Sequence, residues 1–209
     1  IGSSTTVESL AGDGILEASG DVTLTSGASS IGKLASSSVS MGKNVTLDVD
    51  TLQTSEVTMT LGSDAVSGTT LLTAGSTVGD TKVVLAVDKV DDLSKLTNGS
   101  VLTIATIGTP GGDVVGGLIA PVLTPEEAAT TDLVVKSDSE FSVTKDLRGF
   151  GYTLKVSDDG KTVTLVTGRD NKGWIGSESD TWTQNSQAGW EVGYIPNPTD
   201  RAAGFFGEG

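Results

Sequence analysis

The first third of this chain is a series of short runs in which apolar and small polar residues alternate. A period of two places the apolar side chains on one face of a β-strand and the polar ones on the other. Small polar residues and glycine separate the runs too evenly for a single hairpin. The runs are residues 15–16, 22–25, 31–34, 39–41, 45–49, 57–61 and 69–72.

Glycines recur between these runs and give the segment its rhythm. The rhythm predicts a coil of short strands, in which each turn buries its inner face against the turns above and below. We therefore expect an all-β fold, specifically a β-solenoid (a parallel β-helix) of short stacked strands. The separating glycines are Gly20, Gly27, Gly32, Gly42, Gly62 and Gly68.

Composition agrees with a narrow, aliphatic core. Aromatic residues make up only 4% of the chain, and valine, isoleucine and leucine stack well in a coil that large rings would crowd. With 209 residues, of which 36% are hydrophobic, the chain is long enough to bury a sizeable core and too apolar to be wholly disordered.

The charge excludes several classes of partner. The chain has 13 basic and 27 acidic residues, a formal charge of −14, which repels phosphate backbones and predicts no nucleic-acid binding. No basic cluster offers a site for anionic lipid. No apolar run reaches the roughly 18 residues of a membrane-spanning helix, so we expect no direct membrane span in this segment.

Later runs predict further strands and the end of the coil. Strands are expected at 81–87, 100–107, 133–136 and 140–143, with a helical turn at 90–96. Runs 152–156 and 162–166 flank the turn sequence 157–161 and predict an antiparallel hairpin that closes the open end of the coil. Thr124, as N-cap, and Pro125 predict a helix start. Segment 108–132 is rich in glycine and proline, and we expect a long loop there.

The predicted solenoid domain covers residues 1–168, with the long loop at 108–132, and a Trp-rich segment covers 169–209. All three tryptophans (Trp174, Trp182 and Trp190) and Tyr194 lie in that segment, which we interpret as the start of a further repeat unit or a cap. These four residues are candidate ligand or assembly contacts, because aromatic rings can form a sugar-stacking platform. A small structural cluster is the simpler interpretation.

The sequence offers little for catalysis. It has no histidine and no cysteine, which removes the usual general base, the thiol nucleophile and the commonest metal ligands. Acid doublets occur at Asp91-Asp92, Glu126-Glu127 and Asp158-Asp159, in expected turns or helix starts, where solvated carboxylates are more common than catalytic pairs. The remaining aspartates show no calcium-repeat period. We expect no catalytic residues, no metal site, no cofactor and no enzymatic activity.

The tail resembles the opening of autotransporter-associated β-strand repeat units. The resemblance covers roughly residues 60–209, with Gly189 where asparagine is usual, and run 68–72 and hairpin 152–166 are similar to the closing part of such passengers. The opening pattern stands at the C-terminal end, so we expect a fragment of a longer tandem protein. The matching residues are Trp174, Gly176, Trp182, Trp190, Pro196, Asp200, Ala202 and Phe205.

The resemblance implies a secreted, surface-exposed bacterial protein. In that interpretation the segment is a non-enzymatic stalk or adhesin, whose partners are neighbouring units of the same or identical chains and, if the loop or the Trp region binds, glycans or a host surface. Two alternatives stay open. One is a carbohydrate-binding β-sandwich that uses the Trp cluster, and the other is a β-helical polysaccharide-degrading enzyme that uses Asp91 or Asp92.

Overall fold

A computed structural model describes residues 4–62, 70–94, 96, 99–145 and 148–169, and most of these residues lie in β-strands. The strands are β1 (Thr5–Val7), β2 (Ile15–Glu17), β3 (Val22–Leu24), β4 (Ala28–Ala35), β5 (Ser38–Lys43), β6 (Thr46–Gln53), β7 (Glu56–Leu61), β8 (Leu72–Thr77), β9 (Thr81–Val87), β10 (Val101–Thr109), β11 (Val114–Ile119), β12 (Thr131–Ser137), β13 (Glu140–Lys145), β14 (Arg148–Val156) and β15 (Thr162–Arg169). A 3-10 helix spans Val90–Leu93, and a short α-helix, α1, spans Pro125–Thr130.

From β1 to β11, successive strands alternate between two sheets. The odd-numbered strands form a six-stranded sheet in the order β1-β3-β5-β7-β9-β11, paired in parallel throughout. The even-numbered strands from β2 to β10 pair in parallel in a second sheet, in the order β2-β4-β6-β8-β10. This sheet continues beyond β10 through the antiparallel strands β15, β14, β13 and β12. The predicted β class is confirmed, with α1 as an added helix. An antiparallel β-sandwich does not have such pairing.

In the six-stranded sheet, parallel pairing places similar side chains of successive strands above one another, in columns that face inward. Each inward column is aliphatic, and its members are almost completely inaccessible to solvent. Full burial of one such side chain is worth about 1.5–3 kcal/mol, so each column contributes to the stability of this sheet. The two longest columns are Val22, Val39, Val57 and Val83, and Leu24, Met41, Met59 and Leu85.

Glycine stands where neighbouring strand backbones come closest in the second sheet. A Cβ on Gly75 of β8 would lie 2.7 Å from the carbonyl oxygen of Asp50, and one on Gly108 of β10 would lie 2.6 Å from that of Gly75. Gly32 of β4 is similarly placed, 2.5 Å from the Asp13 carbonyl oxygen. A side chain does not fit at such distances, so these positions favour glycine for lack of space.

Strands β12 to β15 continue the second sheet beyond β10, and we call these four antiparallel strands the cap. The predicted hairpin is present as β14 and β15, joined by a turn in which Gly160 has a φ of +68°, and β15 pairs with the last parallel strand, β10. Inside this cap the Phe141 and Tyr152 rings stack with centroids 5.1 Å apart. Burial raises the pKa of Tyr152 to about 12. The antiparallel strands therefore occupy the edge that β10 would otherwise leave open.

The long loop expected at 108–132 is wrong in part, because β11 lies within it and joins the six-stranded sheet. The glycines of this segment resemble loop residues in the sequence, but in the structure they allow neighbouring side chains to pack closely. Gly116 pairs with Val83 at the end of the valine column. A Cβ on Gly116 would lie 3.2 Å from Val156 and 3.3 Å from Leu154, two side chains of β14. The missing side chain thus makes room for the cap.

Two other local predictions need correction, and two helical ones are confirmed. Gly32 and Gly42 lie inside β4 and β5 rather than between strands. At both positions a Cβ would lie close to a neighbouring backbone carbonyl, so glycine is favoured there for lack of space. Strand β8 begins at Leu72, where the predicted run 69–72 ends, because its sequence through Thr77 is mostly small residues with weak alternation. The helical turn at 90–96 appears as the 3-10 helix, and α1 begins as predicted after Thr124.

The glycine contacts predict a difference between two Gly→Ala variants. Gly75→Ala should lower the free energy of unfolding by about 1–3 kcal/mol, because its methyl group would overlap the Asp50 carbonyl. Gly168→Ala is the control, since a Cβ there has no neighbour within 4 Å, and it should be neutral or stabilising by less than about 1 kcal/mol. Urea unfolding measures both, and equal effects would contradict the role of backbone proximity.

Candidate functional site

Asp92, the second residue of the acid doublet Asp91-Asp92, belongs to an ionic cluster at the 3-10 helix. Lys43 Nζ donates to Asp88 Oδ2 at 3.0 Å and to Asp92 Oδ2 at 3.1 Å, and Asp92 is only 7% exposed. The Lys89 backbone N–H also donates to Asp92 Oδ2, at 3.2 Å. Asp92 therefore fastens the connection after β9 to the end of β5, while Asp91 is exposed to solvent.

The cluster shifts the pKa values of its members. Hydrogen bonds to Asp88 and then to Asp92 raise the pKa of Lys43 above its ordinary value. The hydrogen bond from Lys43, followed by its charge, lowers the pKa of Asp88. Both shifts favour the charged forms in the folded chain, as expected of an ion pair that contributes to stability rather than of a group prepared to transfer a proton.

The other acid doublets also serve local structure. Asp159 accepts hydrogen bonds from the Ser157 hydroxyl at 2.6 Å and the Lys161 N–H at 3.1 Å, and the Ser157 bond is the main reason that the pKa of Asp159 is lowered. Glu127 caps α1 by accepting from the Thr124 N–H at 2.8 Å, and Thr124 Oγ1 accepts from the Glu127 N–H at 3.2 Å.

The four aromatic candidates, Trp174, Trp182, Trp190 and Tyr194, lie outside the described residues. The same holds for every residue of the repeat-like opening pattern. These residues stay candidate contacts on the sequence evidence alone.

A groove runs over the solvent face of three parallel strands. It has a volume of about 490 Å³ and is lined by residues 10–12 and by residues near the beginnings of β4, β6 and β8. We call it the β4–β6–β8 groove. Residues 10–12 are tied to β4 by two hydrogen bonds of Leu10: the Leu10 N–H donates to Ser29 Oγ at 3.1 Å, and the Ser30 N–H donates to the Leu10 carbonyl at 2.9 Å. This side of the groove is therefore fixed by the fold itself.

The groove has a polar floor set by strand register. Ser30 of β4 pairs with Asp48 of β6, which pairs with Thr73 of β8, so the three side chains stand side by side across the sheet. Thr46 and Thr70 line the same groove. This row brings together residues that are far apart in the sequence.

A smaller cleft of about 290 Å³ lies beside the turns that lead out of β4, β6 and β8. Its residues are tied into the fold. The hydroxyls of Thr54 and Ser55 both donate to the Ser37 carbonyl, at 3.2 and 2.8 Å. These contacts hold successive strands together and leave the cleft fewer free polar groups than the β4–β6–β8 groove.

Two broader features bear on the class of site. Across the described ranges, no group of three or more acidic, histidine or cysteine side chains is arranged to hold a metal ion. In the same ranges no helix combines the length and apolar character that crossing a membrane requires.

Comparison with known proteins finds no family model, no curated protein and no solved structure that this chain matches.

Sequence reasoning missed the β4–β6–β8 groove. Each of its floor residues is an ordinary solvent-facing position in an alternating strand, and only the pairing register shows that they are neighbours. The available signal was the alternating sequence of β6, in which Asp48 and Asp50 take the outward positions. Carboxylates on a central strand are less common than threonine or serine, and their presence there could have pointed to this surface.

The ionic cluster predicts an acid-dependent stability that needs Lys43. Folding lowers the pKa of Asp88 below its ordinary value of 3.8. The ionised carboxylate therefore contributes fully to the free energy of unfolding above pH 3.8, and this contribution is lost as the pH falls through the lowered pKa of the folded chain. Lys43→Met should therefore reduce the loss of stability between neutral pH and about pH 2. Urea midpoints at the two pH values measure this difference.

Lys155→Met is the matched control, because it removes the same charge from an exposed lysine that makes no ion pair among the described residues. It should leave the pH dependence close to that of the unmodified chain. An equal reduction in both variants would mean that net charge, and not this cluster, sets the acid response.

Proposed function

We propose that this chain is a β-solenoid segment of a secreted, surface-exposed bacterial autotransporter-like protein, and that it acts as a stiff, non-enzymatic stalk with an adhesive role. The observation that carries the proposal is the strict alternation of successive strands between two sheets with parallel pairing in each. A chain that returns in parallel to the strand two places earlier winds around a common core. Such winding is what a solenoid requires.

Regular contacts at one corner of the proposed coil support an equal length for its first turns. The Ser37 hydroxyl donates to the Ser19 carbonyl at 2.9 Å, and the Ser55 hydroxyl donates to the Ser37 carbonyl at 2.8 Å, each across 18 residues. The same residue type thus repeats the same contact one turn later. Later turns are longer, because Leu47 of β6 pairs with Leu72 of β8, and Leu72 pairs with Ala105 of β10.

Stiffness follows from the parallel ladders. Successive strands in a sheet lie about 4.8 Å apart and share backbone hydrogen bonds along their length, so bending the stack means breaking several bonds at once. The aliphatic columns fill the interior from β3 to β9. A stalk needs this combination, because it must keep its shape while it holds other parts of a protein away from the cell.

The surface chemistry agrees with an extracellular stalk. The chain carries a formal charge of −14, which favours solubility and weak self-association. The resemblance to autotransporter repeats adds the expected location, at the bacterial cell surface. Neighbouring units of the same protein and glycans are the proposed partners.

Immunolabelling of intact source cells tests the proposal. Antibodies raised against the purified chain should label cells without permeabilisation, and mild external protease should remove the label. An in-frame deletion of residues 4–169 should reduce attachment of the cells to their natural surface, because the stalk and its contacts are lost together.

A cytoplasmic marker protein, labelled in parallel, controls for leaky cells. Labelling that appears only after permeabilisation would overturn the surface location. Normal attachment after the deletion, with the rest of the protein still displayed, would overturn the adhesive role.

A further inference from the structure

We infer that the β4–β6–β8 groove is a binding site for a neutral oligosaccharide. This inference deepens the adhesive role proposed above and rests on it. It does not use the Trp-rich segment. It assigns the contact to a surface that the parallel strands themselves create.

Four polar side chains of the groove have no hydrogen-bond or ionic partner among the described residues: Ser30, Thr46, Asp48 and Thr73. By contrast, the buried hydroxyl of Ser29 accepts a hydrogen bond from the Leu10 N–H. The groove therefore contains one hydroxyl that is used by the fold and four side chains that are available to a ligand.

The strand register aligns three of these side chains. Ser30, Asp48 and Thr73 occupy matching positions on three adjacent strands, which are spaced by about 4.8 Å. They form a straight row of hydroxyl, carboxylate and hydroxyl. An oligosaccharide presents hydroxyl groups along an extended chain, and a carboxylate accepts two of them while serine and threonine both donate and accept.

Charge and size restrict the class of ligand. Among the described residues that line the groove, Asp48 alone is charged, and the chain as a whole is strongly acidic, so an anionic ligand would be repelled. A volume of about 490 Å³ lies within the range of small-molecule sites. The lining residues within the described ranges include no aromatic ring, so recognition would depend on hydrogen bonds rather than stacking and would be weak at a single site. Many copies on a cell surface would compensate through multivalency.

Asp50 provides an internal control on the same strand. It lies two residues after Asp48 in β6 and is equally classed as exposed, so it points to the same face. It does not line the groove. Asp48→Asn and Asp50→Asn therefore remove the same charge from the same strand, and they differ in whether the carboxylate faces the proposed ligand.

Heteronuclear NMR on the uniformly ¹⁵N-labelled full chain tests the site with neutral tetrasaccharides of glucose, xylose and mannose. We expect saturable shifts of the Ser30, Asp48 and Thr73 amide signals with at least one of them, in the millimolar range. Asp48→Asn should weaken that binding about ten-fold or more, the effect of one lost hydrogen bond to a charged group. Asp50→Asn should leave it unchanged, and signals from the buried core should stay in place in both variants.

Four results would overturn the inference. They are no shift with any of the sugars, shifts confined to residues outside the groove, equal weakening by the two variants, and binding of tetralysine in place of sugars, which would indicate a basic peptide ligand. None of these decides the stalk proposal, which fails on its own evidence if intact cells are not labelled. Conversely, a protein located inside the cell would remove the adhesive role even if the groove bound sugar.

Discussion

Parallel backbone pairing between strands two places apart in the chain is the interaction on which this fold depends. It fixes which side chains stand above one another, so each inward position must suit the positions before and after it in the stack. Valine meets valine in one column, and leucine and methionine, which are similar in size, meet in the other. A polar residue in either column would be buried without a partner, at a cost of about 1–3 kcal/mol. The sparse aromatic content follows from the same constraint.

The same pairing limits the backbone on the outer side of the stack. Where two strands approach closely, as at Gly75 and Gly108, the space that a side chain needs is occupied by a carbonyl oxygen. At Gly116 the space is taken by Leu154 and Val156 of the cap. Glycine therefore has two different roles in this chain. It permits turns at positions such as Gly160, and it permits contact inside strands.

This double role explains how far the sequence could predict the fold. The alternation of apolar and polar residues alone predicted most strands of the parallel part, because this alternation shows which face of each strand is buried. It failed for β11, since Gly116 and Gly117 resemble loop residues until their neighbours are known. It also misplaced β8, whose buried positions include the small residue Ala74. The missing information is the identity of the strand on either side, which no local pattern contains.

The candidate site was harder to predict for the same reason. Aromatic residues and acid doublets attract attention because they are neighbours in the sequence, yet Asp92 and Asp159 are engaged in ion pairing and turn formation.

Ser30, Asp48 and Thr73 are separated along the chain and become neighbours only through the parallel register. In a fold of this kind, outward-facing side chains that make no contact with their own fold are the ones free to contact something else. A functional surface is therefore better sought along the register, strand by strand, than along the sequence. A carboxylate among hydroxyls, with no hydrogen-bond or ionic partner in the part of the chain that the structure describes, is the type of position that such a search would find.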